Sequence, residues 1–461
     1  MQYYSTRDIN LNKTFEEIII QSLCKNGGLY LPMDYPTFNY EEIFKNNPSY
    51  NDIAYSVLSN FIGSSIKDND LKNIIKKTYD GFSCENSANL FNYAENKFIL
   101  ELFYGPTLAF KDYPLQLLGN LFDYYLNKNN KKITIIGATS GDTGSAAIHA
   151  CKDKENINIF ILHPYQKTSE LQRKQMTTVD SKNVFNIAIK GNFDDCQNII
   201  KNLFVSEKLN SLTNLTAINS INWARIISQT IYFIWAIYKT NQYGKKKINF
   251  IVPTGNFGNI FAASVAKRMG LPINKLHIAT NKNDIMHRTV NYGDMELKKV
   301  SETLSPSMDI QISSNFEREL FYLYDKDPNQ ISNIISSFKS GKKYQIAKDR
   351  LNFLQETYVA SKCNDELTLD TIKLFYEKYQ YIADPHTATG LSQARSIPSD
   401  EITINLACAH PAKFPDAIKK AIGHFPTFPE ELKQVINKKE CFEVMENDDN
   451  TVMEYIVNSI S

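Results

Sequence analysis

The sequence predicts an α/β fold in which parallel strands are covered by helices. Three segments support this prediction, since each combines a short apolar strand, a turn of small residues and a helical pattern. They begin at residues 132, 248 and 402. Strand–turn–helix units in series imply parallel sheets that bind ligands at the carboxyl ends of their strands. The chain has 461 residues, 43% of them hydrophobic, which is more than one hydrophobic core normally contains. Two or three domains are therefore expected.

The first part of the chain has a mainly helical pattern. Thr14 and Glu17 form a capping-box pattern that predicts a helix over Phe15–Lys25. An Asn- and Ser-rich break at Cys84–Ala88 indicates a domain edge. Residues 1–92 are therefore predicted to form an N-terminal domain.

The strand–turn–helix units follow this region. Their strands are predicted at Lys132–Ala138, Ile248–Val252 and Ile402–Leu406, and their helices at Ser145–Cys151, Ile260–Met269 and Asp416–Ile422. A further helix is predicted at Tyr113–Leu126, after an apolar run that leads to Lys111.

Composition argues against several classes of function. Lys and Arg number 51 against 50 for Asp and Glu, so the chain has almost no net charge. It therefore lacks the overall positive potential that would attract nucleic acid or an anionic membrane. The longest apolar stretch, near Ile231–Tyr238, is far shorter than the roughly 20 residues that span a bilayer, and the N-terminus lacks a signal-peptide pattern. The seven cysteines and seven histidines show no disulfide or metal-ligand spacing. A cytoplasmic protein without nucleic-acid or membrane partners is expected.

Two turns have the composition of anion-binding sites. Residues 254–259 (TGNFGN) and 140–144 (SGDTG) each lie where a strand leads into a helix. Backbone N–H groups and a helix N-terminus can surround an anion there, and hydroxyls of the second turn add donors. An ordinary βα turn has the same pattern, so neither turn decides the function alone. Together they suggest two anionic groups on one ligand, or a cofactor and a substrate.

Lys111 is a candidate nucleophile because it follows the apolar residues Leu108, Ala109 and Phe110. Partial desolvation would lower its pKa and free the amine to form a Schiff base. The alternative is a lysine whose stem lies along a buried strand while its ammonium reaches water. Lys111 alone does not separate the two.

Taken together, these segments resemble the threonine synthases. Phe110-Lys111-Asp112 after Gly105-Pro106-Thr107, the turn at 140–144 and the turn at 255–259 are similar, in this order, to the family's cofactor lysine, substrate loop and phosphate loop. The resemblance continues in STR (5–7), GGLYLP (27–32), GNFDDC (191–196), NSIN (219–222) with Arg225, ATN (279–281), SPSMD (305–309), DPHTA (384–388) and HPAKF (410–414). So many ordered motifs are much more specific than one Gly-rich turn.

The resemblance implies a pyridoxal-phosphate (PLP) enzyme of fold-type II, similar to the tryptophan synthase β chain. It would have two parallel-sheet α/β domains and a mainly helical N-terminal domain. The implied boundaries are residues 1–92 for the N-terminal domain, 93–128 with 241–461 for the large PLP-binding domain, and 129–240 for the smaller substrate-loop domain.

The implied reaction converts O-phospho-L-homoserine and water into L-threonine and phosphate by γ-elimination and β-hydration, the last step of threonine biosynthesis. Such an enzyme is a carbon-oxygen lyase acting on phosphate. The nearest alternative is a threonine-synthase-like phospholyase, which releases 2-oxobutyrate from the same substrate. A non-catalytic binding protein and a relative acting on serine or its O-esters are disfavoured by the retained motifs. A monomer is expected, with a homodimer as the alternative.

The resemblance also implies roles for single residues. Lys111 would carry the cofactor and move protons, and the cofactor phosphate would be held by Gly255, Asn256, Phe257, Gly258 and Asn259. Ser140, Asp142 and Thr143 would face the substrate carboxylate and the cofactor's phenolic oxygen. Asn222 and Arg225 are candidates for the substrate phosphate, although a structural ion pair would equally explain Arg225.

Two positions depart from the family pattern. Tyr104 stands where a His often precedes the Gly-Pro-Thr segment, and Cys408 stands where a Thr hydroxyl usually meets the pyridine nitrogen. Because a thiol is a weaker hydrogen-bond partner, Cys408 either contacts this nitrogen weakly or serves as buried packing. His386 and His410 lie in matched motifs, but a structural role is expected for both.

Overall fold

The computed structural model describes residues 1–139, 141–241, 244 and 246–460. The strands are β1 (Tyr3–Ser5), β2 (Asp8–Lys13), β3 (Tyr30–Pro32), β4 (Asn89–Ala94), β5 (Lys97–Glu101), β6 (Ile133–Ala138), β7 (Ile157–Pro164), β8 (Val184–Lys190), β9 (Asn214–Thr216), β10 (Ile248–Pro253), β11 (Ile273–Thr280), β12 (Asp294–Met295), β13 (Tyr344–Gln345), β14 (Tyr358–Lys362), β15 (Ile402–Ala407) and β16 (Glu443–Glu446).

The α-helices are α1 (Phe15–Gln21), α2 (Tyr40–Lys45), α3 (Tyr50–Ile62), α4 (Asp68–Tyr79), α5 (Asp112–Asn129), α6 (Asp142–Cys151), α7 (Glu170–Thr177), α8 (Phe193–Val205), α9 (Glu207–Leu212), α10 (Trp223–Thr240), α11 (Gly258–Arg268), α12 (Ile285–Tyr292), α13 (Phe316–Leu323), α14 (Pro328–Lys339), α15 (Lys348–Thr357), α16 (Asp365–Tyr379), α17 (Pro385–Ala394), α18 (Pro415–Ile422), α19 (Glu430–Ile436) and α20 (Asp449–Ile460). Short 3₁₀ helices lie at Gly63–Ser65, Pro306–Met308 and Pro411–Lys413.

Two largely parallel sheets form the body of the molecule. The larger has the strand order β14-β11-β10-β15-β5-β4, in which the β4–β5 pair is antiparallel and the others are parallel. The smaller has the order β16-β8-β7-β6-β9, and all its pairs are parallel. The α/β fold predicted from the sequence is therefore confirmed.

The N-terminal region is mainly helical, and it also contains the antiparallel sheet β2-β1-β3, which the sequence did not predict. The predicted capping box is present, since the Thr14 hydroxyl accepts from Glu17 N–H and the Glu17 carboxylate accepts from Thr14 N–H. The helix α1 ends at Gln21 rather than at Lys25, because Ser22 adopts a positive φ of 56°.

The three predicted strand–turn–helix units are present, and all three helices begin earlier than expected, α18 at Pro415 rather than Asp416. The helix α6 begins at Asp142 rather than Ser145, and α11 begins at Gly258 rather than Ile260. The last residues of both anion-binding turns therefore form the first turn of a helix. In this position the N–H groups of 258 and 259 have no partner within the helix, whereas the Gly144 N–H donates to the carbonyl of Gly141 and to Thr139 Oγ1.

The central helix α10 explains the longest apolar stretch of the sequence. Its residues from Trp223 to Ile237 are all buried, and it packs between α3, α5 and α11. A mostly apolar helix that is buried on all sides belongs to a protein core. None of the helices in the described residues is long and apolar enough to cross a membrane.

The parallel register of three neighbouring strands positions the candidate site. The strands β10, β15 and β5 lie side by side, and Ala407 at the end of β15 pairs with Glu101 at the end of β5. The turn after β10, the residues after β15 and the segment that leads to Lys111 thus leave the sheet at one edge. An isolated antiparallel bridge between Ala109 and Ala409 joins two of these segments.

The C-terminal segment completes the smaller sheet. The strand β16 pairs with β8, and α20 packs on α8 and α9. The predicted boundaries had instead placed residues 241–461 with the larger sheet. The sequence pattern does not predict that the C-terminal segment joins the smaller sheet, because β16 is short and mostly exposed. The domain boundaries themselves stay a prediction.

Close packing of α5 on α6 fixes the distance between the two helices that begin at the site. A Cβ at Gly119 of α5 would lie 2.3 Å from the carbonyl oxygen of Ala150 in α6. We expect G119A to lower the free energy of unfolding by about 1–3 kcal/mol in urea denaturation, because the backbones must separate. The matched control is G81A, since no atom lies within 4 Å of a Cβ there. Equal stability of the two variants would contradict this account.

Candidate active site

Lys111 lies at the N-terminus of α5, with its side chain 12% exposed. Its Nζ donates a hydrogen bond to Ser307 Oγ at 3.2 Å and lies 3.8 Å from Asp142 Oδ2. Burial lowers the pKa of Lys111, and the carboxylate of Asp142 partly opposes this shift. The lowered pKa favours the neutral amine, the form that acts as nucleophile and base.

Asp142 is held by a second, fully buried lysine. The side chain of Lys413 is 0% exposed, and its Nζ contacts Asp142 Oδ1 at 2.9 Å and donates to the carbonyl of Thr107 at 2.7 Å. Gln172 Nε2 donates to the same carboxylate at 3.0 Å. Burial alone would raise the pKa of Asp142, but the ammonium groups of Lys413 and Lys111 lower it well below the usual range. Asp142 is therefore ionised at neutral pH.

The turn after β10 directs its carbonyl groups away from the site. The carbonyl of Asn256 accepts from Asn315 N–H at 3.1 Å and Asn315 Nδ2 at 2.9 Å, and that of Gly255 accepts from Ser313 Oγ at 2.7 Å. Within the described residues, the backbone N–H groups of 255–259 donate no hydrogen bond. Unpaired N–H groups at the N-terminus of α11 form a cradle for an anion.

One residue of this turn has an unusual backbone conformation, and the packing of its side chain holds it in place. Phe257 has a φ of 62°, in the left-handed region that a large side chain rarely adopts. Its buried ring packs against Phe316 and Tyr358, with centroid distances of 5.1 and 5.6 Å. Next to it, Asn259 accepts from the Tyr232 hydroxyl at 2.6 Å, while its Nδ2 has no partner in the described structure.

Arg225 is a buried cation whose donors are largely unpaired. It is 4% exposed, and its Nε and Nη1 have no hydrogen-bond partner among the described residues. Burial lowers the pKa of Arg225 to about 10, so it stays charged at neutral pH. The structural ion pair considered as an alternative is not found in the described structure. The positive charge of Arg225 also acts on Lys111.

Asn222, by contrast, has a structural role. It caps α10, since its Oδ1 accepts from Ala224 N–H at 2.9 Å. Its Nδ2 donates to the carbonyl of Ile19 at 2.9 Å and to Ser22 Oγ at 2.8 Å. Asn222 thus joins α10 to the N-terminal region and leaves no free donor for a substrate phosphate.

Cys408 lies directly after β15, between the other two strand ends. It is buried, its N–H donates to Thr387 Oγ1 at 3.0 Å, and its carbonyl accepts from Phe110 N–H at 2.8 Å. Burial raises the pKa of the Cys408 thiol well above its usual range, so the group is protonated. Thr143 lies half-buried in the first turn of α6. Ser140 lies outside the described residues.

Comparison with known proteins identifies the family. Three family models match, described as threonine synthase N terminus at residues 2–79, pyridoxal-phosphate dependent enzyme at residues 92–405, and threonine synthase, C-terminal, at residues 387–456. A threonine synthase from Pseudomonas aeruginosa is 42% identical over 456 residues, which is 97% of this chain and 96% of that protein. The chain belongs to the threonine synthase family.

Solved threonine synthases share its fold over nearly the full length. The PLP-bound enzyme from Brucella melitensis has a TM-score of 0.96 at 42% identity, and covers 100% of this chain and 99% of its own. The yeast enzyme has a TM-score of 0.95 at 39% identity, with coverages of 100% and 98%. The predicted family, its fold-type II architecture and PLP as the cofactor are therefore confirmed.

The site fits the cofactor of the threonine synthase family. The unpaired N–H groups of 255–259 and the free Nδ2 of Asn259 match a phosphate group in charge and number of donors. A Cβ at Gly255 would lie 2.9 Å from the carbonyl of Ser307, the same residue that contacts Lys111 Nζ. The backbone N–H groups of residues 255–259, here called the phosphate cradle, and the Lys111 amine thus both lie next to Ser307.

Sequence reasoning assigned no role to two residues that the structure brings to the centre of this threonine synthase fold. Ser307 and Lys413 both lie in motifs that resemble the family, SPSMD and HPAKF. Their signal was a hydroxyl and a lysine inside otherwise matched motifs. Gln172, which also binds Asp142, lies outside these motifs and gave no signal. His410 caps a short helix, since its Nδ1 accepts from Ala412 N–H at 3.2 Å, which agrees with a structural role.

The buried pair between Lys413 and Asp142 predicts a pH-dependent stability. We expect K413M to lose about 3–5 kcal/mol of unfolding free energy at neutral pH, because it leaves a buried carboxylate without its cation. The folded pKa of Asp142 lies below its ordinary value of 3.8, so its stabilisation is complete above that value and is lost as pH falls through the folded pKa. The difference in unfolding free energy between K413M and the wild type should therefore become smaller below about pH 4.

The matched control for this prediction is K420M, since Lys420 is exposed and forms no ion pair with the described residues. It should stay within about 0.5 kcal/mol of the wild type. Urea denaturation across the pH range measures both variants. A K413M chain as stable as K420M at neutral pH would contradict the assignment.

Proposed function

We propose that this chain is a threonine synthase that converts O-phospho-L-homoserine and water into L-threonine and phosphate. The observation that carries the proposal is the identity of about 40% to threonine synthases over nearly the whole chain. The convergence of Lys111, Asp142 and the turn at 255–259 supports it. The same identity does not favour the phospholyase alternative. Cytoplasmic location and a monomeric state stay predictions.

In this proposal, Lys111 carries the cofactor and Gly255, Asn256, Phe257, Gly258 and Asn259 hold its phosphate. When bound, PLP supplies the electron sink for the reaction. Asp142 lies beside the Lys111 amine, and Cys408 lies on the floor formed by β15. The protonated Cys408 thiol is a weak donor, suited to a ring nitrogen or to packing alone.

The proton transfers are assigned to the Lys111 amine, which removes protons at Cα and Cβ of the substrate. A single mobile amine serves both steps because it is released when the substrate amine takes its place. Burial favours the neutral base, while Asp142 stabilises the protonated form, so the amine can accept and return a proton. Thr143, in the first turn of α6, and Ser140, which lies outside the described residues, are assigned to the substrate carboxylate.

Arg225 is assigned to the phosphate of the substrate. Its unpaired Nε and Nη1 are two donors of a guanidinium, whose geometry matches phosphate oxygens. A buried charge without a partner is unfavourable in the free protein, which supports a ligand as its partner. Because the amide of Asn222 is fully used in capping α10, the proposal no longer includes Asn222.

Replacement of Arg225 should separate binding from stability. We expect R225M to raise KM for O-phosphohomoserine by about tenfold or more, while its unfolding free energy equals or exceeds that of the wild type. The matched control is R318M, because Arg318 is equally buried but donates to the carbonyls of Tyr30 and Ile221. That variant should lose several kcal/mol of stability. A destabilised R225M with unchanged KM would refute the assignment.

The reaction itself is tested by identifying the cofactor attachment and the product. Borohydride reduction of the purified protein and peptide mapping should find the pyridoxyl group on Lys111, and K111A should lack it. Incubation with O-phosphohomoserine should yield threonine and phosphate in equal amounts. Formation of 2-oxobutyrate without threonine would identify a phospholyase instead. A protein that takes up no PLP would end the proposal.

A further inference from the structure

Ser307 meets the candidate site with each of its polar groups. Its Oγ accepts from Lys111 Nζ at 3.2 Å, and its N–H donates to His386 Nε2 at 3.2 Å. Its carbonyl faces Gly255, where a Cβ would approach it to 2.9 Å. One residue therefore touches the amine, a buried imidazole and the phosphate cradle.

The imidazole that holds Ser307 has a defined orientation. His386 Nδ1 lies 2.9 Å from Asp384 Oδ1, and both residues are buried. With its proton on Nδ1, the ring donates to the carboxylate and presents the lone pair of Nε2 to the N–H of Ser307. The other oxygen of Asp384 accepts from the Thr387 hydroxyl, which in turn accepts from Cys408 N–H. The DPHTA motif thus fixes the main chain at Ser307.

A second, partly buried network holds the loop from its other side. Asn281 Nδ2 lies within hydrogen-bond distance of Ser305 Oγ at 3.0 Å and Asp309 Oδ1 at 2.7 Å. Thr303 also donates to Asp309 Oδ1, at 2.7 Å. Residues on both sides of Ser307 are therefore tied to the end of β11. The ATN and SPSMD motifs, which the proposed reaction left without a role, meet in this network.

Among the described residues, Ser307 Oγ is the only hydrogen-bond partner of Lys111 Nζ, since Asp142 lies at the longer distance of 3.8 Å. A hydroxyl needed for packing alone would not require its own N–H to be held by His386 and the flanking residues Ser305 and Asp309 to be held by Asn281. A lysine side chain has four rotatable carbon bonds, so its free amine needs a fixed acceptor to stay in one place. Ser307 supplies such an acceptor.

We propose that Ser307 is a positioning residue that holds the amine of Lys111 whenever that amine is not bound to the cofactor. The inference rests on the proposed function, because it takes Lys111 as the residue that carries PLP. The hydroxyl keeps the free amine within reach of the substrate, so the protons it removes are returned from the same position. The fixed loop makes that position independent of substrate.

The test compares three variants of one loop. S307A removes the acceptor, and S307C keeps its size but accepts hydrogen bonds weakly. S305A is the matched control, because it removes a buried hydroxyl of the same loop that does not contact Lys111, and it leaves the loop tied to Asn281 through Asp309. The other groups that face Lys111 are unchanged in all three variants, namely Asp142, Lys413, Arg225 and Cys408.

The first measurement is made on the full-length chain after removal of PLP. Competitive isotopic acetylation across pH, followed by peptide mass spectrometry, gives the pKa of the Lys111 amine without any turnover. Because the hydroxyl accepts from the ammonium form, its loss should lower this pKa in S307A and S307C but not in S305A. Thermal melts of all variants record any general loss of stability.

The second measurement is the pH profile of the PLP-loaded enzyme. We expect kcat to fall by about tenfold in S307A with KM within about twofold, because the hydrogen bond orients the amine and does not bind substrate. The acidic limb of the profile should move to lower pH, in line with the lower amine pKa. If S307A does not fold, the same two shifts in S307C carry the test.

An unchanged Lys111 pKa and an unchanged profile in folded S307A or S307C would overturn the inference, as would equal shifts in S305A. Failure of the proposed function is distinguishable from this outcome. In that case borohydride would place no pyridoxyl group on Lys111 even in the wild type. If the pyridoxyl group is trapped on Lys111 but the pKa of Lys111 is unchanged in the Ser307 variants, only the role of Ser307 is refuted.

Discussion

The structure depends on the parallel alignment of β10, β15 and β5, because this alignment brings three distant chain segments to one edge. Each strand is short and buried, so its register cannot slip without exposing apolar side chains. The phosphate cradle, the residues around Cys408 and the segment of Lys111 inherit their spacing from the sheet. The loop at residues 305–309 then closes the site above them, held by β11 and α17.

Three buried cations of the molecule differ in the partners that surround them. Lys413 is neutralised by Asp142, and Arg318 is surrounded by carbonyl and amide oxygens. Arg225 alone of these three cations retains free donors. A fold that satisfies two buried cations fully could satisfy a third, so this exception supports the proposal that a ligand binds at Arg225. Burial also lowers the pKa of Lys111, which favours loss of its proton.

Much of this arrangement follows from local sequence patterns. The apolar strands, the small-residue turns and the capping box at Thr14 depend on near neighbours, and the sequence predicted them within a few residues. The contacts of Ser307 with Lys111 and of Lys413 with Thr107 join residues 196 and 306 positions apart. No periodicity reports such pairs. Asn222 illustrates the same limit, since a helix cap and a phosphate ligand are chosen from the same polar residues.

The late position of β16 has a consequence for synthesis of the protein. Four strands of the smaller sheet are complete by Thr216, but the partner of β8 lies at Glu443–Glu446. Until residues 443–446 have left the ribosome, β8 is an open edge with the mostly apolar sequence VFNIAIK. Chains that end before β16 therefore expose a strand edge that can pair with another molecule.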